Sequence, residues 1–504
     1  MKKNANVLLN PKNMNLTTPS SRYDPPCGIM LLRLVPDVYR HSNHPIGHRP
    51  PYILKYVEAS LKKEARFSVT LVDQHISDIT LAGIQELWSR SNPRAVIFDV
   101  SSLNETVTGT FSRDLCAARD GAIIFIAIGQ APSADAEAFR AKYPQFHIVL
   151  AGEAEQAVVD IIQKFAAGHS SGDLKHFYEN PANVSHPWIV RDLDALPFPP
   201  YNPEELQGYH FVYPLKLAQH IVWGHLLSSR GCPHRCIFCS QIMRESYGAE
   251  IRLRSATNVA DEIEHLLNMG ANVISFDDDN FTNSRAHVQS ICEEILRRAL
   301  KIHWIAHARV DEVDEPLLRL MRESGCLLLR YGVETVSRDI LNAIGKTSAP
   351  DSWPEKTRKA VALTQAQGIG AVCLFMVGCP GETYEDLKND IHFVRGLNPD
   401  IIQVAYFTPF PGSRYYTTFR EKFPDNHSSE LYHYSVPRIN PSHMEDQEFK
   451  SAQFLFYKKF LLRPSFLWDH ARRYFVFYVL NPGIYRELIK IRKELLRPGA
   501  PRYE

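Results

Sequence analysis

The sequence predicts an α/β protein in three parts: a doubly wound, Rossmann-like open sheet, a partial TIM-like (β/α)6 barrel, and a mainly helical C-terminal domain. Three observations carry this expectation. Strand-like and helix-like segments alternate from residue 28 to about 165. The alternation resumes near His225 and runs through six more strand-like segments. From about Tyr415 the pattern turns helical and aromatic-rich, as in Phe454-Leu-Phe-Tyr457 and Tyr474-Phe-Val-Phe-Tyr478. The length of 504 residues allows several domains, and an apolar fraction of 44% suits a large core. With 57 Lys and Arg against 56 Asp and Glu, the net charge of +1 gives no electrostatic reason to expect nucleic acid.

In the first part, residues 29–35, 69–72, 95–100, 122–128 and 147–150 read as strands. The runs at 95–100 and 122–128 are continuously apolar, as buried parallel strands are. Helical spacing marks residues 51–63, 82–91 and 154–165. Between the two series, Gly168-His-Ser-Ser-Gly172 is flexible in composition, and Pro197, Pro199, Pro200 and Pro203 stiffen the end of the segment. In the second series, strands are expected at 225–229, 273–276, 303–308, 327–333, 371–377 and 401–407. Helices separate them, for example at 258–269, 287–299, 315–323 and 353–367. Six such units fit a partial barrel with its function at the strand C-termini. The expected division is a disordered lead-in (1–25), a Rossmann-like domain (26–166), a linker (167–221), a barrel (222–415) and a helical domain (416–504). No segment approaches the roughly 20 apolar residues that span a bilayer, and no signal peptide is legible. A cytoplasmic protein without a transmembrane segment is expected.

The chemistry centres on Ser229-Arg-Gly-Cys232-Pro-His-Arg-Cys236-Ile-Phe-Cys239, directly after the first barrel strand. Three thiolates so spaced can ligate three irons of a 4Fe–4S cubane and leave the fourth iron open, as a catalytic centre needs. The alternative is a closed zinc site with His234 as fourth ligand. The other cysteines form no second close-spaced set, and most read as ordinary buried thiols.

Further polar residues fall at strand ends. Asp277-Asp278-Asp279 follows the second barrel strand, where it is either a solvated turn capping the next helix or a ligand site. Arg309, at the end of the third, either pairs with Asp311 or faces a ligand. Tyr331-Gly332-Val333-Glu334 ends the fourth, where the glycine permits close approach to the backbone. Gly378-Cys-Pro380-Gly-Glu382-Thr383 forms a tight turn, in which Glu382-Thr383 also reads as a helix start. Thr408-Pro-Phe-Pro-Gly-Ser413 closes the sixth strand and is expected on the substrate side.

In the cysteine loop and barrel, the chain resembles the radical S-adenosylmethionine (SAM) superfamily. The resemblance implies a 4Fe–4S cluster on Cys232, Cys236 and Cys239 that binds SAM through its open iron and reductively cleaves it to a 5′-deoxyadenosyl radical. It implies that Asp278 and Asp279 receive the methionine amino group, that Glu334 holds ribose hydroxyls beside Gly332, and that the turn with Gly378 and Pro380 lies near the adenine. Arg309 joins this cofactor-binding set. An electron donor such as flavodoxin or ferredoxin is implied, with a small-molecule substrate.

The sheet domain before the barrel resembles the cobalamin-binding subclass, which includes C- and P-methylases and the anaerobic cyclase of bacteriochlorophyll synthesis. The matching segments are Pro45-Ile-Gly47, Pro50-Pro51-Tyr52, Leu150-Ala-Gly152-Glu153-Ala-Glu155 and the run Asp-Leu-Asp-Ala-Leu-Pro-Phe-Pro at 192–199. One departure stands out. The loop where such proteins often carry a cobalt-ligating His reads Gly129-Gln130-Ala131-Pro132-Ser133, and His75 reads as a surface turn residue. The resemblance implies a cobalamin-dependent methyltransferase acting on an unactivated carbon or phosphorus. The alternative is a radical SAM cyclase, rearrangement or oxidation enzyme whose first domain has lost cobalamin.

Overall fold

A computed structural model describes residues 27–36, 48–117, 123–179, 188–211, 213–239, 250–419 and 439–483, together with 485, 486, 489 and 493. The expected disordered lead-in lies outside the described residues.

The first sheet consists of β1 (Cys27–Arg33), β2 (Phe67–Asp73), β3 (Ala95–Asp99), β4 (Ile124–Ile128) and β5 (Ile148–Val149). All pairings are parallel, in the order β2-β1-β3-β4-β5. Period-two alternation splits its apolar residues between two cores. Ile29 and Leu31 pack with Leu54 and Val57 of the helix Tyr52–Lys62 and with Ile161 of Glu155–Ala166. Met30 and Leu32 pack on the other face with Ile84 and Trp88 of Leu81–Ser91 and Phe111 of Glu105–Ala117. The sheet is thus doubly wound, as expected, and its order reverses between β1 and β3. Crevices at such switch points, outside the strand carboxyl ends, are where ligands bind in open α/β sheets.

The segment at 168–172, expected to be flexible, instead starts a helix, Ser171–Tyr178. Ser170 supplies the reason: its hydroxyl accepts from Asp173 N at 3.1 Å, a helix N-cap. Leu174 and Tyr178 then bury themselves in the sheet core. Farther on, Asn202 caps the short helix Pro203–Gly208 with a capping box. Its Glu205 binds the buried Lys55 at 2.6 Å.

The second sheet has β6 (Trp223–Leu226), then a two-stranded antiparallel ribbon of β7 (Ser229–Arg230) and β8 (Arg252–Leu253). β9 (Val273–Phe276), β10 (His303–Ala308), β11 (Cys326–Glu334), β12 (Gly370–Val377) and β13 (Ile401–Tyr406) follow. β6 and β9–β13 form one parallel sheet in chain order, a six-stranded partial barrel. Outward residues such as Ile274, Leu329 and Tyr331 pack against the helices. Inward residues Trp223, Val273, Ile305, Leu328 and Val372 pack with Phe211, Tyr213 and Leu215 of the preceding segment and with Phe477 of the helix Pro464–Leu480.

A partial barrel exposes edge strands, and unpaired edges invite association. The helix Asp446–Leu461 covers β13: Val404 N donates to Tyr457 Oη at 2.9 Å, and Gln453 Nε2 donates to Val404 O at 2.8 Å. That is how the aromatic-rich C-terminal segment packs over the barrel. Among the described residues no helix is long and apolar enough to cross a membrane.

Candidate active site

The cysteine loop leaves the carboxyl end of β6 and is pinned along its length. At its root, Asp278 accepts from Ser228 N (3.1 Å), Ser228 Oγ (2.8 Å) and Ser229 Oγ. Midway, Ile237 N donates to Ile344 O at 3.0 Å, and Tyr415 N donates to Ile237 O at 3.1 Å. Cys236 is buried, Cys232 half-buried and Cys239 exposed. Burial pushes the Cys232 and Cys236 thiols above their usual range. Thiols that repel one another as anions suit a cationic metal centre. Among the described residues no three metal-ligating side chains converge on one ion. A cubane asks for no such convergence, because each thiolate takes its own iron. The zinc alternative needs His234 turned to the thiols, whereas its Nε2 lies 3.2 Å from Glu312 Oε1.

The three consecutive acids have three different environments. Asp277 accepts from Tyr52 Oη (2.6 Å), His225 Nδ1 (2.8 Å) and Ser275 Oγ (2.6 Å). Burial would raise its carboxyl, but Arg49 and His225 hold it far below the usual range, so it is a fixed anion. Asp278 is spent on the serines at the root of the cysteine loop. Asp279 makes no hydrogen bond to the described residues and is open to solvent within the cleft. Of the two acids expected at the methionine amino group, Asp279 is the one left available.

Arg309 takes the pairing alternative. It binds Asp311 through Nε (3.0 Å) and Nη2 (3.1 Å), donates to Lys346 O, and lies over the Trp353 ring. Glu334 ends β11 at φ +67°, a left-handed conformation that costs a non-glycine residue energy and tends to persist at functional sites. Its Oε1 is 3.0 Å from Lys346 Nζ. A Cβ on Gly332 would come within 2.6 Å of Glu334 Oε1 and 2.8 Å of Lys346 Nζ, so this glycine makes room for the ion pair. Gly378, at φ +76°, is required by packing as well: a Cβ there would overlap the Phe449 ring. Glu382 Oε2 accepts from Cys379 N at 2.8 Å and closes the turn that holds the half-buried Pro380. Thr383 then caps the helix Tyr384–Leu397 with a capping box. Cys292, Cys326, Cys373 and Cys379 are buried thiols, as expected.

Residues 226–394 match the model of the radical SAM superfamily. The chain carries a radical SAM domain. It is therefore an enzyme, and such a domain works with a 4Fe–4S cluster, S-adenosylmethionine and a reductant. The chain is 26% identical over 371 residues to an uncharacterised methyltransferase of Pyrococcus horikoshii, covering 72% of this chain and 77% of that one. It is 26% identical over 338 residues to the anaerobic magnesium-protoporphyrin IX monomethyl ester cyclase of Rubrivivax gelatinosus, covering 64% of this chain and 58% of the cyclase. Among solved structures, the radical SAM methyltransferase TsrM from Kitasatospora setae, with cobalamin and a [4Fe-4S] cluster bound, shares the fold. Its TM-score is 0.63 at 16% identity, covering 87% of this chain and 90% of that one.

Sequence reasoning missed the residues that join the first sheet to the radical SAM domain. Glu153 forms a bidentate pair with Arg252 of β8 (2.6 and 2.5 Å), and Glu155 binds Arg230 of β7 at 2.8 Å. All four side chains are buried. The Gly152-Glu153-Ala-Glu155 segment thus clamps the ribbon from which the cysteine loop springs. Tyr52 and Arg49 reach across to Asp277. The signal was present in the sequence as the two Glu of that segment and the Arg beside the first cysteine, but their pairing required the fold.

The carboxyl ends of β3 and β4 carry Ser101, Ser102, Gly129 and Gln130, with Ser102 Oγ 3.4 Å from Gln130 Oε1. Ser133 Oγ donates to Gly129 O at 2.6 Å and accepts from Gly152 N at 2.9 Å. Asp99, half-buried beside them, is pushed up to about 6 by burial and by Asp73. The loop Gly129–Ser133 holds no imidazole. His75 is 3.3 Å from Asp73 Oδ1, at the end of β2 and away from this loop.

Proposed function

We propose that this chain is a cobalamin-dependent radical SAM methyltransferase acting on an unactivated carbon or phosphorus of a small metabolite. One observation carries the reading most: the carboxyl ends of both sheets face each other, held by Glu153, Glu155, Arg49 and Tyr52. A cofactor on the first sheet and a radical generated at the barrel mouth would then share one water-poor space. Cys232, Cys236 and Cys239 would hold the cluster. Asp279 would receive the methionine ammonium, and Glu334, steadied by Lys346, would accept from ribose hydroxyls. The Gly378–Pro380 turn would offer backbone to the adenine. Asp278 would position the cysteine loop, and Arg309 the backbone at Lys346, rather than touch SAM. The loop of Gly129 and Gln130, which carries no histidine, would hold cobalamin. Bound there, the cluster and SAM supply a 5′-deoxyadenosyl radical, and cobalamin supplies the methyl group.

On this reading residues 26–166 and 222–415 are the working domains, and the helix Asp446–Leu461 covers the barrel edge. The protein works in the cytoplasm, where flavodoxin or ferredoxin reduces the cluster. The cyclase relative favours a second reading, radical chemistry without methyl transfer. Anaerobic reconstitution with SAM, dithionite and cobalamin separates the two. Methyl transfer gives S-adenosylhomocysteine, only with cobalamin present, alongside 5′-deoxyadenosine. Deoxyadenosine alone supports the second reading. Electron paramagnetic resonance of bound Co(II) should lack axial nitrogen splitting, and clear splitting would contradict the placement of cobalamin.

A further inference from the structure

The barrel lumen holds a second polar centre, separate from the cysteine loop. Inward positions bring His225, Ser275, His307, Arg330 and Gln403 into one layer, above the apolar layer of Trp223, Ile305 and Leu328. His225 is in register with Ser275, and His307 with Arg330. These residues lie two positions before Asp277, Arg309 and Gly332 on their strands, one step deeper than the cofactor-facing strand ends.

Arg330 is fully buried and poorly matched. Its Nη2 lies 3.5 Å from Ser275 Oγ and 3.6 Å from Asp277 Oδ1. Its Nε and Nη1 have no partner. Asp277 is already occupied by Tyr52, His225, Ser275 and Arg49, so one carboxylate faces two guanidinium groups. The Phe211 and Tyr213 rings, 4.9 and 5.7 Å from the guanidinium, offer cation–π compensation, and the Tyr213 hydroxyl adds electrostatic support, but neither completes a hydrogen bond to Nε or Nη1. Burial and Arg49 pull Arg330 below its usual value, in keeping with a cation short of counter-charge.

His307 adds a donor. Its Nε2 is 3.0 Å from Arg49 Nη2. A guanidinium only donates, so Nε2 accepts and the ring proton sits on Nδ1. Burial and the two arginines hold the imidazole well below its usual value, so it stays neutral. No described residue takes the Nδ1 proton, and the ring is half-buried, open to the lumen. His225 Nε2 is also buried without a partner. Unused donors outnumber unused acceptors, and the local charge of two arginines against Asp277 is positive.

We infer that Arg330, His307 and Arg49 form an oxyanion subsite in the lumen, which holds an anionic group of the substrate, a carboxylate or a phosphonate, beneath the cofactor site. This rests on the methyltransferase reading for the identity of the occupant as substrate. A guanidinium with spare N–H groups beside a neutral N–H donor recognises such a group by charge-assisted hydrogen bonds.

The test uses the cluster-loaded holoenzyme and three probes of similar shape: benzoate, phenylphosphonate and the neutral benzamide. Anaerobic thermal melts are recorded against probe concentration for the parent, Arg330→Met and His307→Phe. The expected result is saturable stabilisation by at least one anion, none by benzamide, and a response weaker by about tenfold or more in either variant. The tighter anion identifies the substrate group as carboxylate or phosphonate. Stabilisation by neither anion, an equal response to benzamide, or an undiminished response in whichever variants fold overturns the inference. The readout is binding, so a failure here leaves the 5′-deoxyadenosine and S-adenosylhomocysteine products unaffected, and their absence leaves this result standing.

Discussion

Glu153→Gln tests whether the first sheet holds the cysteine loop. Glu153 is fully buried, and its carboxylate takes two hydrogen bonds from Arg252, one from Val190 N at 2.6 Å, and lies 3.5 Å from Arg230. Glutamine keeps the shape and one acceptor but removes the charge, which strands the buried Arg252. Breaking a buried pair from one side costs about 3–5 kcal/mol. For a folding unit of 150–250 residues each kcal/mol shifts the melting temperature by about 2–4 °C, so a fall of about 6–20 °C is expected. Melting is followed anaerobically by cluster absorbance, because β8 pairs with β7 at the loop's root. A double variant, Glu153→Leu with Arg252→Met, should recover much of the loss, since apolar residues replace buried pairs at little cost. A single variant melting within about 2 °C of the parent would refute the clamp.

Asp279→Asn should weaken SAM binding by about one to two decades, the worth of a charge-assisted hydrogen bond, with the cluster retained. Asp278→Ala should instead lower iron content, because Ser228 and Ser229 lose their acceptor; SAM titrations of iron-replete fractions separate the two effects, and weakened affinity in Asp278→Ala alone would reverse the assignment. Asp390, which accepts from Val336 N at 2.7 Å, has its carboxyl pushed up to about 7 by burial, so the fold binds its proton more tightly than the unfolded chain does. Its contribution is fully present below about pH 4 and is lost at about 1.4 kcal/mol per unit as pH rises to about 7. Asp390→Asn should remove that slope from denaturation measured across this range, and an unchanged slope would contradict it.

Both sheets were legible because their strands are apolar runs of ordinary length, buried on both faces at Ala95–Asp99 and Ile124–Ile128. The helix Glu105–Ala117 was not, since Thr106, Thr108, Gly109 and Thr110 weaken its propensity. Tertiary packing decides it: a Cβ on Gly109 would overlap the Tyr143 ring, so the glycine serves a close contact. The candidate cluster site was legible because its three cysteines are close in sequence. Asp277 was not singled out, because its partners Arg49, Tyr52, His225 and Arg330 come from three separate segments. For Arg309 and Gly378, local pairing and the Phe449 ring account for the residue types in the fold.

The most direct measurement is reductive SAM cleavage by anaerobically reconstituted protein, set beside a variant with Cys232, Cys236 and Cys239 all changed to Ala. The parent should bind about four irons and four sulfides, the complement of a 4Fe–4S cubane, and release 5′-deoxyadenosine on reduction. The variant should lose the cluster absorbance and form none. A variant that kept its full iron complement, or still released 5′-deoxyadenosine, would place the reaction centre elsewhere.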